Sequence, residues 1–583
     1  MSYLTGKVFA PRGTGKTRRL WIALLLLATA LRLPAPDWDA PATEAGFAIA
    51  AHPDERFLIA VAQATPLWGD PCATTPDFPY GHLPVYVARL FVMAAPSVDP
   101  LITLRLFSGL LGVLLVALAG AWGRALAGNH GAAGRWGALL AAALMAFAPF
   151  PIQQARFYTV DILGAIFASG AILAATRRRW SLAGALAGLA LACKASLVWC
   201  AVVVGLGVWV ASWGERVASH EKRVTRNEKR VTRNEKRVSR LLSAVSCLFL
   251  AFFLASPWAV LRPLTAWNGP MIQAMMASGR FDFPYTRQYV GTLPFLYPLA
   301  QMMLWGLGPA TTLLGMAGMA MALRRRRWSF TACLAGIWTL AYFLVTAGLY
   351  VKFPRYLLPL YPLWTGWAAS ACVRRQKIAG VRWRLAAPSL VVTALLGWAQ
   401  VSIYAAPHPW IVASRWMYAN VPAGATVAVE AWDHALPVPL PEGDAERYTT
   451  LTLPVFAEDT AEKLAQLTTA TREAEIIVLA SRRGYGALAR QPARYAATLA
   501  WYAALLRERE VIAFGRCPRL GPLALSDDPL ADAGLAPPLS LAERCGTRYA
   551  LRLPHLDESF RVYDAPMVLL LTPRTPRYSM SPR

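Results

Sequence analysis

Between Leu20 and Tyr404, apolar runs of about 20 residues recur, separated by short segments rich in Lys and Arg. Each run is long enough to cross a hydrocarbon core of about 30 Å as a helix, the form in which a chain in lipid satisfies its own backbone hydrogen bonds. With 56% hydrophobic and only 16% charged residues and a mean hydropathy of +0.37, the chain is too apolar for a string of soluble domains. It reads as a polytopic membrane protein. The runs stop after Tyr404, so the last third is expected to form a water-soluble domain.

A formal charge of +26 would suit a nucleic-acid binder if the basic residues formed one patch. They cluster instead at 7–19, 177–179, 216–240, 324–327 and 374–384, between apolar runs. That is the positive-inside pattern, which orients a membrane protein and needs no nucleic acid. Assigning these clusters to the cytosol predicts about eleven transmembrane helices, near 20–35, 105–126, 136–150, 161–176, 181–196, 198–213, 241–261, 305–323, 329–348, 357–373 and 385–404. The N-terminus is then cytosolic and the C-terminal domain extracytoplasmic, in a cell (plasma) membrane. The stretch from Ser181 to Trp213 is long for one tilted helix and short for two; two are expected, because 216–240 must return to the cytosol. The first run, LWIALLLLATALRLPA, has the basic flank of a signal peptide; an uncleaved first helix is expected, since further spans follow.

Residues 1–404 thus form a membrane domain with outer segments at 36–104, 151–160, 262–304 and 349–356. Two apolar pieces, LPVYVARLFVMAAP in the first segment and 293–304, are expected to lie at the interface, since counting the former as a span breaks the charge alternation. EKRVTRN, EKRVTRN and EKRVSR repeat with period seven at 221–240; one valine per heptad cannot make a coiled-coil seam, leaving a solvated basic segment near anionic headgroups or an incidental duplication. Residues 405–583 read as an α/β domain: ATVAVEAW and AEIIVLAS as buried strands, 456–472 and 492–508 as helices, and FRVYDAPMVLLL as closing strands. Cys517 and Cys545 face an oxidising compartment in this topology and are either a disulfide or two free thiols. Cys193, Cys200, Cys247, Cys333 and Cys372 read as apolar filling.

GTGKT at 13–17 is not a phosphate loop: the pattern requires Gly five residues before Gly15, where Ala10 stands. HPDERFL at 52–58 is more informative. Pro53 suits a first helical turn, with Asp54 and Glu55 at the positive end of the dipole; the two acids are either helix-start charges or chemistry. Asp161, where an outer loop enters a span, is a helix-start charge or a boundary carboxylate needing a partner. Lys194, in LALACKASLVW, is costlier: Lys near a helix centre in lipid costs about 2.5–3.5 kcal/mol, so it is either functional with an anionic partner or snorkels to the interface. VKFPRYLLPLYP at 351–362 puts Lys352 and Arg355 on an outer segment, against the positive-inside rule, where they suit a phosphate or a lipid headgroup. Acids and cations on one membrane face suit a reaction needing a base and a bound phosphate leaving group.

An acidic pair in the first outer loop, the turn FYTVD into the fourth span, a Lys in the fifth and the segment KFPRYLLP together resemble the polytopic GT-C glycosyltransferases. They are most similar to the family 39 type, which includes protein O-mannosyltransferases and the lipid A aminoarabinose transferase. The motifs span roughly residues 15–405, and the stretch SRWMYANVPAGATVAVEAWDHALP also looks like the tails of bacterial family 39-like members. The resemblance implies a GT-C membrane domain, a polyprenyl-phosphate sugar donor and inverting transfer to a cell-envelope glycan, lipid or protein. It implies Asp54 as general base, with Glu55 as a supporting or alternative base. Asp161, with Tyr158 of the same motif, would bind or orient substrate, and Lys194, Lys352 and Arg355, with Tyr356, would hold the donor phosphate. Classical protein mannosyltransferases carry a long lumenal domain between middle spans; here the soluble domain is C-terminal, which puts a protein acceptor in doubt. A divalent metal is possible, with His52 and His82 in the loop of Asp54 and Glu55, but no ligand spacing is recognisable. Readings from other classes are a lipid or solute transporter, for which inverted repeats and broken helices would speak, and a non-catalytic membrane protein that binds an envelope partner.

Overall fold

The computed structural model describes residues 15–40, 42–43, 46–47, 51–128, 131–219, 228–324, 329–374 and 380–574. Parts of the basic clusters and of GTGKT, and the first EKRVTRN repeat, lie outside the described residues. The chain divides into two compact units. Unit one comprises residues 1–34, 57–277 and 294–396; unit two comprises 35–56, 278–293 and 397–583.

The principal helices up to residue 401 are α1 (Gly15–Ala30), α2 (Pro53–Ala64), α3 (Leu83–Ala94), α4 (Pro100–Ala127), α5 (Gly131–Phe147), α6 (Val160–Thr176), α7 (Trp180–Cys193), α8 (Val198–Ser219), α9 (Glu228–Ala255), α10 (Pro263–Ala277), α11 (Pro309–Leu323), α12 (Phe330–Ala347), α13 (Tyr361–Cys372) and α14 (Trp383–Val401). Every apolar run expected to cross a membrane falls on one of them. Four helical stretches among the described residues are long and apolar enough to cross a membrane: Pro100–Ala127, Glu235–Ala255, Phe330–Ala347 and Trp383–Asn420. The first apolar piece read as interfacial is α3, and the second is the short helix Leu296–Gln301 followed by a π-helical turn, Met302–Gly306.

In unit one small residues allow close helix packing. Gly184 and Gly188 of α7, four residues apart on one face, abut the Ala244 and Leu248 carbonyls of α9, and a Cβ at either would run into that backbone. Such small-residue seams suit helices in lipid, where no hydrophobic force drives association and close van der Waals packing replaces it. The opposite side of α9 exposes Leu242, Val245, Phe249, Leu250 and Leu254, the stripe expected of a lipid-facing helix. By contrast α6 is buried along nearly its whole length.

Among the described residues, the C-terminal segment of unit two, from 397 on, has eight strands: β1 (Thr426–Glu430), β2 (Thr449–Leu453), β3 (Ile476–Leu479), β4 (Glu510–Phe514), β5 (Arg519–Leu520), β6 (Leu523–Ser526), β7 (Tyr549–Arg552) and β8 (Val568–Thr572). Five form one sheet in the order β2-β1-β3-β8-β4; β1 runs parallel to β2 and β3, and β8 antiparallel to β3 and β4. Both faces are covered, which is why the central strands read as continuous apolar runs. Ala428, Ile477, Leu479, Leu569 and Leu571 face a core with helices Ala461–Glu473 and Ala496–Glu508. Val427, Val429, Ile476, Val478, Val568 and Leu570 face Trp410, Ile411 and Met417 of Pro409–Asn420. FRVYDAPMVLLL yields one strand, β8, because its first part forms the end of a helical turn, Glu558–Arg561, and a loop. A second sheet, β7-β6-β5, follows, and Cys517 and Cys545 are joined in a disulfide. Residues 278–293 are tied in by Arg287, which donates to the Phe456 carbonyl at 2.8 Å and to Asp282 at 2.9 Å.

Candidate functional site

Lys194 does not sit in mid-helix as the sequence suggests. Helix α7 ends at Cys193; Lys194 is extended (φ −157°, ψ 126°), and a 3-10 turn, Ala195–Leu197, leads into α8. The break lets the side chain leave the helical stack, so the cost of a mid-span lysine is replaced by the smaller cost of a paired charge at a helix end. Its partner is Asp161, in the first turn of α6, after Thr159 in extended conformation. Lys194 Nζ lies 2.7 Å from Asp161 Oδ1, with side-chain exposures of 19% and 5%. The carboxylate gains from the amine and from the positive end of α6.

The same ammonium lies 4.7 Å from the centre of the Tyr356 ring, which the 3-10 helix Pro354–Leu360 carries. Three segments far apart in sequence, two of them around 160 and 194 and the third around 356, thus meet at one cation. An ammonium has three donors; Asp161 takes one and the ring face stabilises the charge, leaving donors suited to an anion's oxygens. Arg355, next in sequence to Tyr356, is half-buried and stacks over Phe353 at 4.9 Å. Lys352 is engaged differently: its amine donates to the Tyr350 carbonyl at 2.8 Å, and burial pulls its pKa down. Tyr158 is fully buried, its hydroxyl donating to the Pro84 carbonyl at 2.6 Å, which ties the turn before α6 to the start of α3. Arg105, which the sequence motifs above do not include, is buried in α4 with its guanidinium 5.7 Å over Phe157. An arginine inside PLITLRLFSG is the same signal that marks Lys194.

Asp54 and Glu55 belong to unit two, in the first turn of α2 as the sequence predicts. Glu55 is fully buried and Asp54 half-buried. Their surroundings in that unit are ionisable. The His52 ring packs on Tyr563 at 4.7 Å; Arg483 donates to the Tyr563 hydroxyl at 3.0 Å, to Glu558 at 2.7 Å and to the Trp432 carbonyl at 3.2 Å. Burial raises the Tyr563 phenol above its usual range; Arg483 opposes the shift and Asp54 adds to it. A neutral phenol and a guanidinium close to a half-buried carboxylate are groups that can orient a hydroxyl and accept its proton.

Among the described residues, one group brings three potential ligand atoms within 4.8 Å of one another: Asp527, Asp532 and His555, in unit two. It fits a metal poorly. Asp527 accepts from both terminal nitrogens of Arg482 and from the Leu556 amide, and Arg552 holds Asp532 at 2.6 Å, so a cation there would meet two guanidiniums.

No family model matches the chain, and no curated protein matches it. Solved structures do. The structure is similar to the archaeal oligosaccharyltransferase AglB from Archaeoglobus fulgidus in complex with an inhibitory peptide and a dolichol-phosphate, at 16% identity and a TM-score of 0.46 over 86% of this chain and 73% of that one. It is similar to ArnT from Cupriavidus metallidurans bound to undecaprenyl phosphate, at 15% identity and a TM-score of 0.45 over 96% and 99%. It is also similar to the arabinofuranosyltransferase AftD from Mycobacteria, at 16% and 0.36, over 98% of this chain and 41% of that one. These neighbours are GT-C glycosyltransferases, the group that the sequence motifs resemble. The roles of side chains rest on this chain's own geometry.

Proposed function

We propose that the chain is a membrane glycosyltransferase that moves a sugar from a polyprenyl-phosphate donor to an acceptor of the cell envelope on the outer membrane face, with inversion at the anomeric carbon. The observation that carries the proposal is the Lys194–Asp161 pair on the Tyr356 ring: a cation set at a helix break against a carboxylate and an aromatic face, with donors left for a phosphate. Arg355 adds a second cation on the same 3-10 helix, and Lys352 precedes that helix.

The acceptor hydroxyl oxygen attacks the anomeric carbon from the face opposite the phosphate. Its proton passes to the Asp54 carboxylate, with Glu55 as the alternative base, while the sugar–oxygen bond to phosphate breaks and the electron pair leaves with the polyprenyl phosphate. Charge develops on the departing phosphate, where fixed donors in a poorly hydrated setting stabilise it. A phosphate leaving group needs no general acid, so one base suffices. Asp161 sets the position of Lys194, and Tyr158 holds the turn that presents Asp161.

The test is transfer of labelled sugar from polyprenyl-phosphate donors in reconstituted vesicles. Label should reach an acceptor with the wild-type chain and not with Lys194→Met. Equal transfer by both would remove Lys194 from the phosphate site, and no transfer from any such donor would overturn the assignment.

A further inference from the structure

Unit two contains a cavity of about 490 Å³, lined among others by Gln288, Arg482, Arg490, Asp532, Arg552 and His555. Its size lies within the range of small-molecule sites, roughly 300–1,000 Å³. The charges lining it are not all neutralised within the protein. Arg482 is spent on Asp527, Arg552 on Asp532, and Glu558, which also lines the cavity, on Arg483. Arg490 is half-buried, and among the described residues its guanidinium has no hydrogen-bond or ion-pair partner. A planar fork of five donors without a protein acceptor favours a carboxylate or phosphate oxygen pair.

The rest of the lining narrows the ligand further. Asp532 is held by Arg552, and the Gln288 amide accepts from the Glu558 N–H and donates to the Tyr285 carbonyl; each keeps a further lone pair or N–H that a ligand hydroxyl can use. Leu553, Pro554 and Pro529 provide apolar surface that suits the C–H face of a sugar ring. A bare inorganic ion would fill little of 490 Å³. We propose that this cavity binds an anionic saccharide unit, a sugar ring carrying a carboxylate or a phosphate, through Arg490. As the binding place for an acceptor glycan, it rests on the transferase reading above; as a binding site, it stands without it.

The experiment titrates the detergent-solubilised full-length protein with glucuronate, glucose 1-phosphate, glucose, inorganic phosphate and Mg²⁺, each followed by calorimetry. Glucuronate or glucose 1-phosphate should bind at least tenfold more tightly than glucose or phosphate alone, and which of the two wins identifies the anion. Arg490→Gln should weaken that binding tenfold or more. Gly486→Leu should do the same by filling the cavity without changing its charge; a Cβ at Gly486 meets only Arg482 Cβ, at an ordinary 3.8 Å. Glucose binding as tightly as the anions, binding unchanged in both variants, or a response to Mg²⁺ alone would overturn the proposal. Intact saccharide binding in a protein that transfers no sugar would leave this site standing and remove the transferase reading; transfer without binding would do the reverse.

Discussion

Buried charge has opposite standing in the two units. In unit one Lys194 and Asp161 stand out because their helices are otherwise apolar, and each lies at a helix end where water, a dipole or a partner lowers its cost. In unit two buried or half-buried ion pairs are ordinary: Arg482 with Asp527, Arg483 with Glu558, Arg544 with Asp528 at 2.7 Å, Lys463 with Asp459 at 3.1 Å. A charge in the first setting demands an explanation, whereas in the second only an unmatched one does. Hence Lys194 draws attention in one unit and Arg490 in the other.

The base and the phosphate contact have separate roles, so substitutions should separate chemistry from donor binding. Asp54→Asn should lower transfer by about 10³-fold, within the range for loss of a general base, with donor affinity unchanged in an equilibrium binding assay. Loss of donor binding in that variant would erase the contrast.

The second break point is Glu430, at the end of β1. Burial, reinforced by Asp433, lifts its carboxyl to about 8, and the Tyr502 hydroxyl hydrogen-bonds to it. The unfolded chain releases this proton near the ordinary 4.5, so the group's contribution to stability is full below about 4.5 and is lost as pH rises towards 8. The slope approaches about 1.4 kcal/mol per pH unit. Thermal unfolding of the full chain at pH 5 and pH 8 should show a larger loss for wild type than for Glu430→Gln; parallel losses would show that Glu430 is ionised throughout.

The disulfide sharpens the contrast again, since it staples only unit two. Cys517 and Cys545 are 28 residues apart, for which chain entropy gives about 3–4 kcal/mol. Cys517→Ala should lower the unfolding temperature of unit two by that measure while donor binding persists.

The same difference governs what could be read in advance. Apolar run length marks helices strongly: each run expected to cross falls on a helix, and four helical stretches among the described residues are long and apolar enough to span; Lys194 and Asp161 are legible as charges in apolar surroundings. The break after Cys193 was not, because LALACKASLVW is apolar on both sides and nothing local stops the helix. In unit two, β1 and β3 were legible as short apolar runs. TTLTL and EVIAF form the partly exposed edge strands β2 and β4; TTLTL lacks the continuous apolar character of the central strands, whereas EVIAF carries the apolar run VIAF and so offers the same signal as they do. The cavity around Arg490 is invisible in the sequence, since an arginine is unremarkable among the many charges of this region, and that its guanidinium has no partner among the described residues is a property of three dimensions only.

The central claim is that Lys194, set at a helix break by Asp161 and Tyr356, holds the donor's phosphate. It is tested most directly by titrating polyprenyl phosphate into the reconstituted wild type, Lys194→Arg and Lys194→Met. About 100-fold weaker binding for Lys194→Met, roughly 2.7 kcal/mol, with Lys194→Arg between the two, is the expected result. Equal affinity in all three would contradict it.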